Sequence, residues 1–239
     1  MKDPTSMGEV FLADPPSRGR QDAAAPVRTR AWAVSGVVAA VLGLVTIVVS
    51  MGLWDPDLDY SDPTAIAERL SDAKGQLIVM HVAMVTGIVA LVVFALGLLR
   101  RLGATLPAGS LLGGVAASGI GLTAVANLLG SGLDTEFLFA AEVVEKDVPE
   151  TIAFYNHWIA TIPWLWVGAG LTGVAIAVAA LKHKAAPRWI GIVGATLGAL
   201  TLLVGISPLQ YMAGFVGPVW LLVTAIGFTV GDRAYRNAA

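Results

Sequence analysis

LGSGLDTEFLFAAEVVEKDVPETIAFYNHWIATIPWLW, residues 129–166, separates two apolar runs by an acidic segment, and its reading decides the fold. The chain leaves one hydrophobic run at Gly130-Ser131-Gly132. It carries six carboxylates between Asp134 and Glu150, then returns to apolar sequence through His157, Trp158, Pro163 and Trp164. A chain that behaves this way leaves a membrane and re-enters it. Within the segment, Glu136–Lys146 mixes Phe137, Phe139, Ala140, Val143 and Val144 with Glu142 and Glu145, which predicts a short helix lying on the outer surface. Pro149 suits the first turn of the returning helix, which starts outside the bilayer, crosses it over about 157–181, and is expected to kink at Pro163.

Composition agrees with this reading. Of 239 residues, 56% are hydrophobic and 13% charged, against about 45–50% apolar and about 25% charged in a soluble domain. Working outward from residues 129–166, the preceding run is a third span, about 106–129. In it Gly109, Gly113, Ala117 and Gly121 recur every fourth position, a pattern expected to let another backbone approach. The second span is about 76–99 and stops at Arg100-Arg101. The first is about 31–53, whose 23 residues rise about 34 Å, enough to cross a hydrocarbon core. Between these two, Asp62-Pro63 reads as an N-cap and first-turn proline, predicting a second short outer helix over Pro63–Lys74. Downstream lie a fifth span, about 189–206 with a Gly194/Gly198 pair, and a sixth, about 211–230, expected to kink at Gly217-Pro218. The expected fold is therefore all-α and polytopic: six transmembrane helices in one bundle over 31–231, with two short outer surface helices. Residues 1–30 and 232–239 read as cytoplasmic tails, the first disordered. The two halves show no sequence echo of an inverted repeat.

Charge sorts by side. Twelve of the 15 basic residues fall in the tails and the short connections after spans two and four; twelve of the 17 acidic residues fall in the long loops on the other side. The two sides carry +7 and −9. The positive-inside rule then places both termini in the cytoplasm of a bacterial cell membrane, with the acidic face outside. An odd number of spans would send basic clusters outward.

Absences limit the chemistry. The chain has no cysteine, which removes disulfides, thiol catalysis and Cys-ligated metal. The six apolar runs contain no Asp, Glu, Lys or Arg, whereas proton-coupled pathways usually place ionisable groups at membrane depth. What remains is a polar set near the outer ends: His81 on span two, Asn127 on span three, and His157 and Thr161 on span four. Glu150, His157 and Thr161 share one helix face by spacing. Three settings fit these residues. One is a polar pocket in which His81, Asn127 and His157 converge beneath the acidic segments. Another is a metal site in which His81 and His157 borrow Asp134, Glu136 or Glu150, since zinc takes about four ligands. The last is a haem held by the two imidazoles; a hydrolytic centre on the same residues is the enzymatic counterpart of the metal site. No HExxH or HxxxH motif accompanies them, and no cofactor is favoured. Polar tips reaching water at the headgroup boundary explain the same residues without a ligand. The tryptophans, most of them near span ends, read as interface anchors.

The plan of basic tail, span, acidic loop with a short helix, and span ending Arg-Arg resembles that of uncharacterised bacterial six-span membrane families. Pro187-Arg188-Trp189-Ile190-Gly191 resembles the Pro-x-Trp-x-Gly junction found in such families. These are domains of unknown function, so the resemblance implies a fold and carries no catalytic residues. The reading favoured is a non-enzymatic inner-membrane protein, an accessory or sensor subunit whose partners are the lipid bilayer and a membrane or extracytoplasmic protein, not nucleic acid. Two alternatives stay open: a small-solute transporter or channel without an ionisable pathway, and a membrane enzyme or haem or metal protein using His81 and His157.

Overall fold

The structure is a computed structural model that describes residues 29–140 and 149–232. Among these the chain is helical throughout its regular elements: α1 (Ala31–Leu53), α2 (Pro63–Asp72), α3 (Lys74–Gly103), α4 (Leu112–Gly130), α5 (Asp134–Ala140), α6 (Pro149–Thr161), α7 (Val167–Leu181), α8 (Arg188–Val193), α9 (Ala199–Ile206) and α10 (Met212–Ile226). A 3₁₀ turn, Ile162–Trp164, joins α6 to α7. A π turn, Gly194–Gly198, joins α8 to α9, and another, Gly227–Gly231, extends α10. Among the described residues, six helical stretches are long and apolar enough to cross a membrane: Ala31–Leu53, Lys74–Gly103, Leu112–Leu138, Pro149–Leu181, Arg188–Ile206 and Met212–Gly231. In such helices every backbone group is satisfied within its own segment, which the hydrocarbon interior demands.

Several boundaries differ from those read in the sequence. The third span begins at Leu112 rather than near Leu106. Pro107 opens a turn there, Ser110 N–H returns to Pro107 O at 3.1 Å, and Gly109 takes a φ of +80° that breaks the helical run. The second span is longer, Lys74–Gly103. The surface helix expected over Glu136–Lys146 is described from Asp134 to Ala140; its remainder, like residues 1–28 and 233–239 of the expected tails, lies outside the described residues. The kink expected at Pro163 takes the form of the 3₁₀ turn, and Pro218 lies inside α10.

The spans form a ring in chain order: each packs beside the next, and α10 closes on α1. The middle of the ring is filled by the fourth span. Past Pro163 the chain reaches inward, and Trp166 is buried with its indole Nε1–H donated to Pro163 O at 3.1 Å. The Trp166 side chain occupies the space that a Cβ on Gly43 or on Gly217 would enter, with the nearest ring atom at 2.7 Å and 2.9 Å respectively. A void of about 10 Å³ remains beside it, between Thr46, Met84, Asn127 and Trp166, roughly one water's worth of space. Trp32, Trp164 and Trp220 are buried as well. The interface-anchor reading therefore fails for four of the seven tryptophans, whose rings are packing elements; Trp54 and Trp189 remain exposed.

The glycine stripe is corrected too. The buried face of α4 is Gly113, Ala116, Gly119, Ile120, Thr123, Ala124, Asn127 and Gly130. Gly121 has open space around it and Gly109 precedes the helix. The close approach is made by Gly119, against Gly168 and Thr172 of α7, and Thr172 Oγ1 donates across the seam to Ala116 O at 2.8 Å. The Gly194/Gly198 pair does pack as expected. A Cβ on Gly194 would lie 2.5 Å from Gly173 O, and one on Gly198 2.6 Å from Gly173 Cα.

The basic end is clamped. Arg101 Nε and Nη2 donate to the two oxygens of Asp232 at 2.6 and 2.9 Å, and both residues are buried. Arg101 Nη1 also donates to Thr105 Oγ1 at 3.2 Å, and that hydroxyl lies 3.2 Å from Ala185 O. Read in the sequence as a tail residue, Asp232 instead joins the ends of the second and sixth spans. Arg30, also assigned to a tail, donates to Thr229 O at 2.9 Å.

Candidate functional site at the acidic end

The acidic end carries a cap with its own apolar core. Asp62 accepts Thr64 N–H at 2.9 Å and Pro63 follows it, so α2 starts where the sequence places it. The helix turns Ile66, Ala67 and Leu70 inward, where they meet Leu53, Leu77, Met80, Phe137, Ile152, Tyr155 and Ile159. Phe137 and Tyr155 stack with ring centroids 4.4 Å apart. The fourth span has room to supply part of this cap. Its 33 residues, Pro149–Leu181, would reach about 50 Å as one helix, well beyond a hydrocarbon core of about 30 Å.

At the heart of the cap is one carboxylate. Asp134, the first residue of α5, is fully enclosed. Its Oδ2 lies 2.8 Å from His81 Nδ1 on α3, and its Oδ1 accepts the Tyr155 hydroxyl of α6 at 3.0 Å. A buried carboxylate persists when its lone pairs are met by donors, and here two separate spans supply them. The second and fourth spans thus meet through Asp134 rather than through a broad helix contact. The arrangement also orients the His81 ring: with Nδ1 engaged by Asp134, Nε2 is the nitrogen left for another partner on a half-buried side chain. A carboxylate-oriented imidazole suits a metal ligand or a general base. Among the described residues, however, no three His, Asp or Glu side chains gather as a metal set.

The other sequence candidates have different surroundings. Asn127 is buried, donates its amide to Thr123 O at 2.9 Å, and faces the small void beside Trp166. His157 lines a separate recess with Ser50, Leu53, Trp54, Tyr60, Asn156, Ile159 and Ala160, about 250 Å³ in volume. Thr161 Oγ1 lies 3.4 Å from the Tyr211 hydroxyl. Glu136 and Glu150 are exposed. The pocket expected to unite His81, Asn127 and His157 is thus replaced by three settings, and of the carboxylates proposed as partners, Asp134 is the one that joins His81. Sequence reading missed Tyr155. The signal was present: Ile152, Tyr155 and Ile159 fall at helical spacing and form the buried face of α6, which turns His157 elsewhere.

The loop beside the recess is tightly tied. Asp55 N–H donates to the Tyr60 hydroxyl at 2.9 Å, and Asp57 N–H to Asp55 Oδ1 at 3.0 Å. Ser61 donates its hydroxyl and its backbone N–H to Asp59 Oδ1 at 2.6 and 2.9 Å, which holds that carboxyl below the usual carboxylate range. Arg69 lies 3.8 Å from Asp55 Oδ2 and donates to Gly52 O at 3.2 Å.

No family model, curated protein or solved structure matches this chain.

Proposed function

We propose that the chain is a non-enzymatic accessory or sensor subunit of a bacterial cell membrane. Its acidic face lies outside and both ends lie in the cytoplasm. Its outer cap meets a membrane or extracytoplasmic protein partner. The observation that carries this reading is the Asp134 bridge. One enclosed carboxylate ties α5 to the second and fourth spans, so a partner that moves the cap acts on the bundle directly. The indole of Trp166 in the middle of the ring supports a responding bundle over a conduit.

Two measurements test it. Hydrogen bonds to a charged group are worth about 1.5–3 kcal/mol each. Asp134→Ala is therefore expected to raise local opening of the cap by about tenfold or more. A cysteine at Ile66, on the buried face of α2, should react that much faster with an impermeant thiol reagent in the Asp134→Ala background. An unchanged rate removes the coupling. Vesicles containing the protein should show no solute flux above empty vesicles; saturable flux would move the reading to the transporter alternative.

Orientation has its own test. A cysteine at exposed Ser61 should be labelled from outside intact spheroplasts, and cysteines at exposed Ala104 and Lys184 should not. The reverse pattern inverts the protein. A second reading, a metal or haem protein or a hydrolytic membrane enzyme, is favoured by the oriented imidazole of His81. Metal in stoichiometric amount or a haem absorption band in purified protein, lost in His81→Ala, would establish it.

A further inference from the structure

The 250 Å³ recess between the end of α1 and α6 has a definite depth and chemistry. Fifteen residues of α7 rise about 22 Å, and the stretch back to Pro163 brings the path to about 30 Å, the thickness of a hydrocarbon core. Measured from the basic end, Pro163 therefore marks the far edge of the hydrocarbon, and Asn156 and His157 stand at headgroup level. The 23 residues of α1 rise about 34 Å and end at Leu53 and Trp54, at the same level. The floor of the recess is apolar, from Leu53, Ile159 and Ala160. Its base is closed where Trp164 Nε1–H donates to Ser50 Oγ at 3.2 Å.

The walls include two aromatic rings and the His157 imidazole, and no Lys, Arg, Asp or Glu. Trp54 is 66% exposed, so its ring stands clear of the bundle. Tyr60 is held in place by Asp55 N–H on its hydroxyl. The loop that brings Tyr60 to the wall also carries Asp55, Asp57 and Asp59. Arg69 offsets Asp55, and Asp57 and Asp59 have no ion-pair partner among the described residues. Aromatic faces flanked by carboxylates attract an alkylammonium group, through the ring quadrupole and the local potential together. An anion meets the opposite field.

We propose that this recess binds the ammonium head of a small amphiphile, seating the cation between Trp54 and Tyr60 and the adjoining alkyl part against Leu53, Ile159 and Ala160. This rests on the sensor reading and names the ligand class for it. A lipid carrying an amine headgroup and a free hydrophobic amine share this chemistry.

The test uses the full chain in an uncharged maltoside detergent, titrated with hexyltrimethylammonium, hexanol and hexanoate while binding is followed by saturation-transfer NMR. The ammonium is expected to bind at least about tenfold tighter than the other two, since they share its tail and lack its charge. Trp54→Ala, at an exposed helix end, is expected to weaken it about fivefold, with most of the affinity restored in Trp54→Phe. Tyr60→Leu should weaken it comparably. Equal binding of the three probes, or binding indifferent to both aromatic positions, overturns the proposal. Repeating the titration in nanodiscs of ethanolamine and of glycerol phospholipid identifies the source. Weaker apparent binding in the ethanolamine discs marks a lipid headgroup as the occupant, and equal binding marks a free amine; the proposal stands in both cases. Loss of ammonium selectivity with silent vesicles and a coupled cap removes only the ligand class. Solute flux removes the sensor reading itself.

Discussion

Asp232→Ala should destabilise the bundle by about 3–5 kcal/mol, the range for a buried ion pair stripped of one partner. The cause is what remains. Arg101 directs Nε and Nη2 at that carboxylate from a site only 5% exposed, so its charge would stay buried with Thr105 as its other side-chain acceptor. The informative control is the double variant Arg101→Met with Asp232→Leu. Replacing a buried pair with apolar side chains is often neutral or stabilising, so the double variant should melt near the parent while each single variant melts well below it. Thermal unfolding in a mild detergent reads all of these. A single variant that melts like the parent would show that the clamp carries little of the fold.

The second large effect lies in the seam between the third and fourth spans. Gly119→Leu should destabilise by about 3 kcal/mol or more, the upper end of overpacking costs. A Cβ there would run into Gly168 O and Thr172 Oγ1 and lie 3.0 Å from Thr172 N; most of these atoms are backbone that cannot move without separating the helices. Gly121→Leu, two residues along the same helix, meets open space and should change stability by less than about 0.5 kcal/mol. Two glycines of one span thus give opposite outcomes under the same substitution. Equal melting of the two variants would remove the close-contact assignment.

That contrast marks where sequence reading stops. A stripe at strict four-residue spacing turns about 40° per step on a helix of 3.6 residues per turn, so Gly109 and Gly121 cannot face one neighbour. The buried face instead alternates steps of three and four, through Gly113, Ala116, Ile120, Thr123, Asn127 and Gly130, with Gly119 beside that line. Apolar length and charge asymmetry made the six spans legible, and the Asp62 cap and Pro163 break were local enough to read directly. Within the candidate site, His81 and Asp134 could both be named as polar groups near the boundary. Their pairing could be offered only as one choice among Asp134, Glu136 and Glu150, because it spans 53 positions and depends on how α5 seats over the ring. The Arg101–Asp232 pair, 131 positions apart, was hidden for a further reason: Arg101 was counted with the topology-setting charges and Asp232 with a tail. The tryptophans misled because a ring near a span end has two apolar destinations, lipid or the bundle, and composition does not choose between them.

The order of the ring also has a consequence for how the protein is made. Each span lies beside the one translated just before it, so the growing chain can settle helix by helix with short-range contacts. One seam is exempt. The first span must wait for the sixth, and Arg101 must wait for Asp232, at the close of the last span. Throughout synthesis Arg101 is a free charge of the kind that holds a helix end on one side of the membrane. When the ring shuts, it is withdrawn from solvent and becomes the latch. On the proposed topology, the charge that favours one side during insertion is the one that Asp232 later buries, and a chain ending before Asp232 would leave Arg101 without that carboxylate.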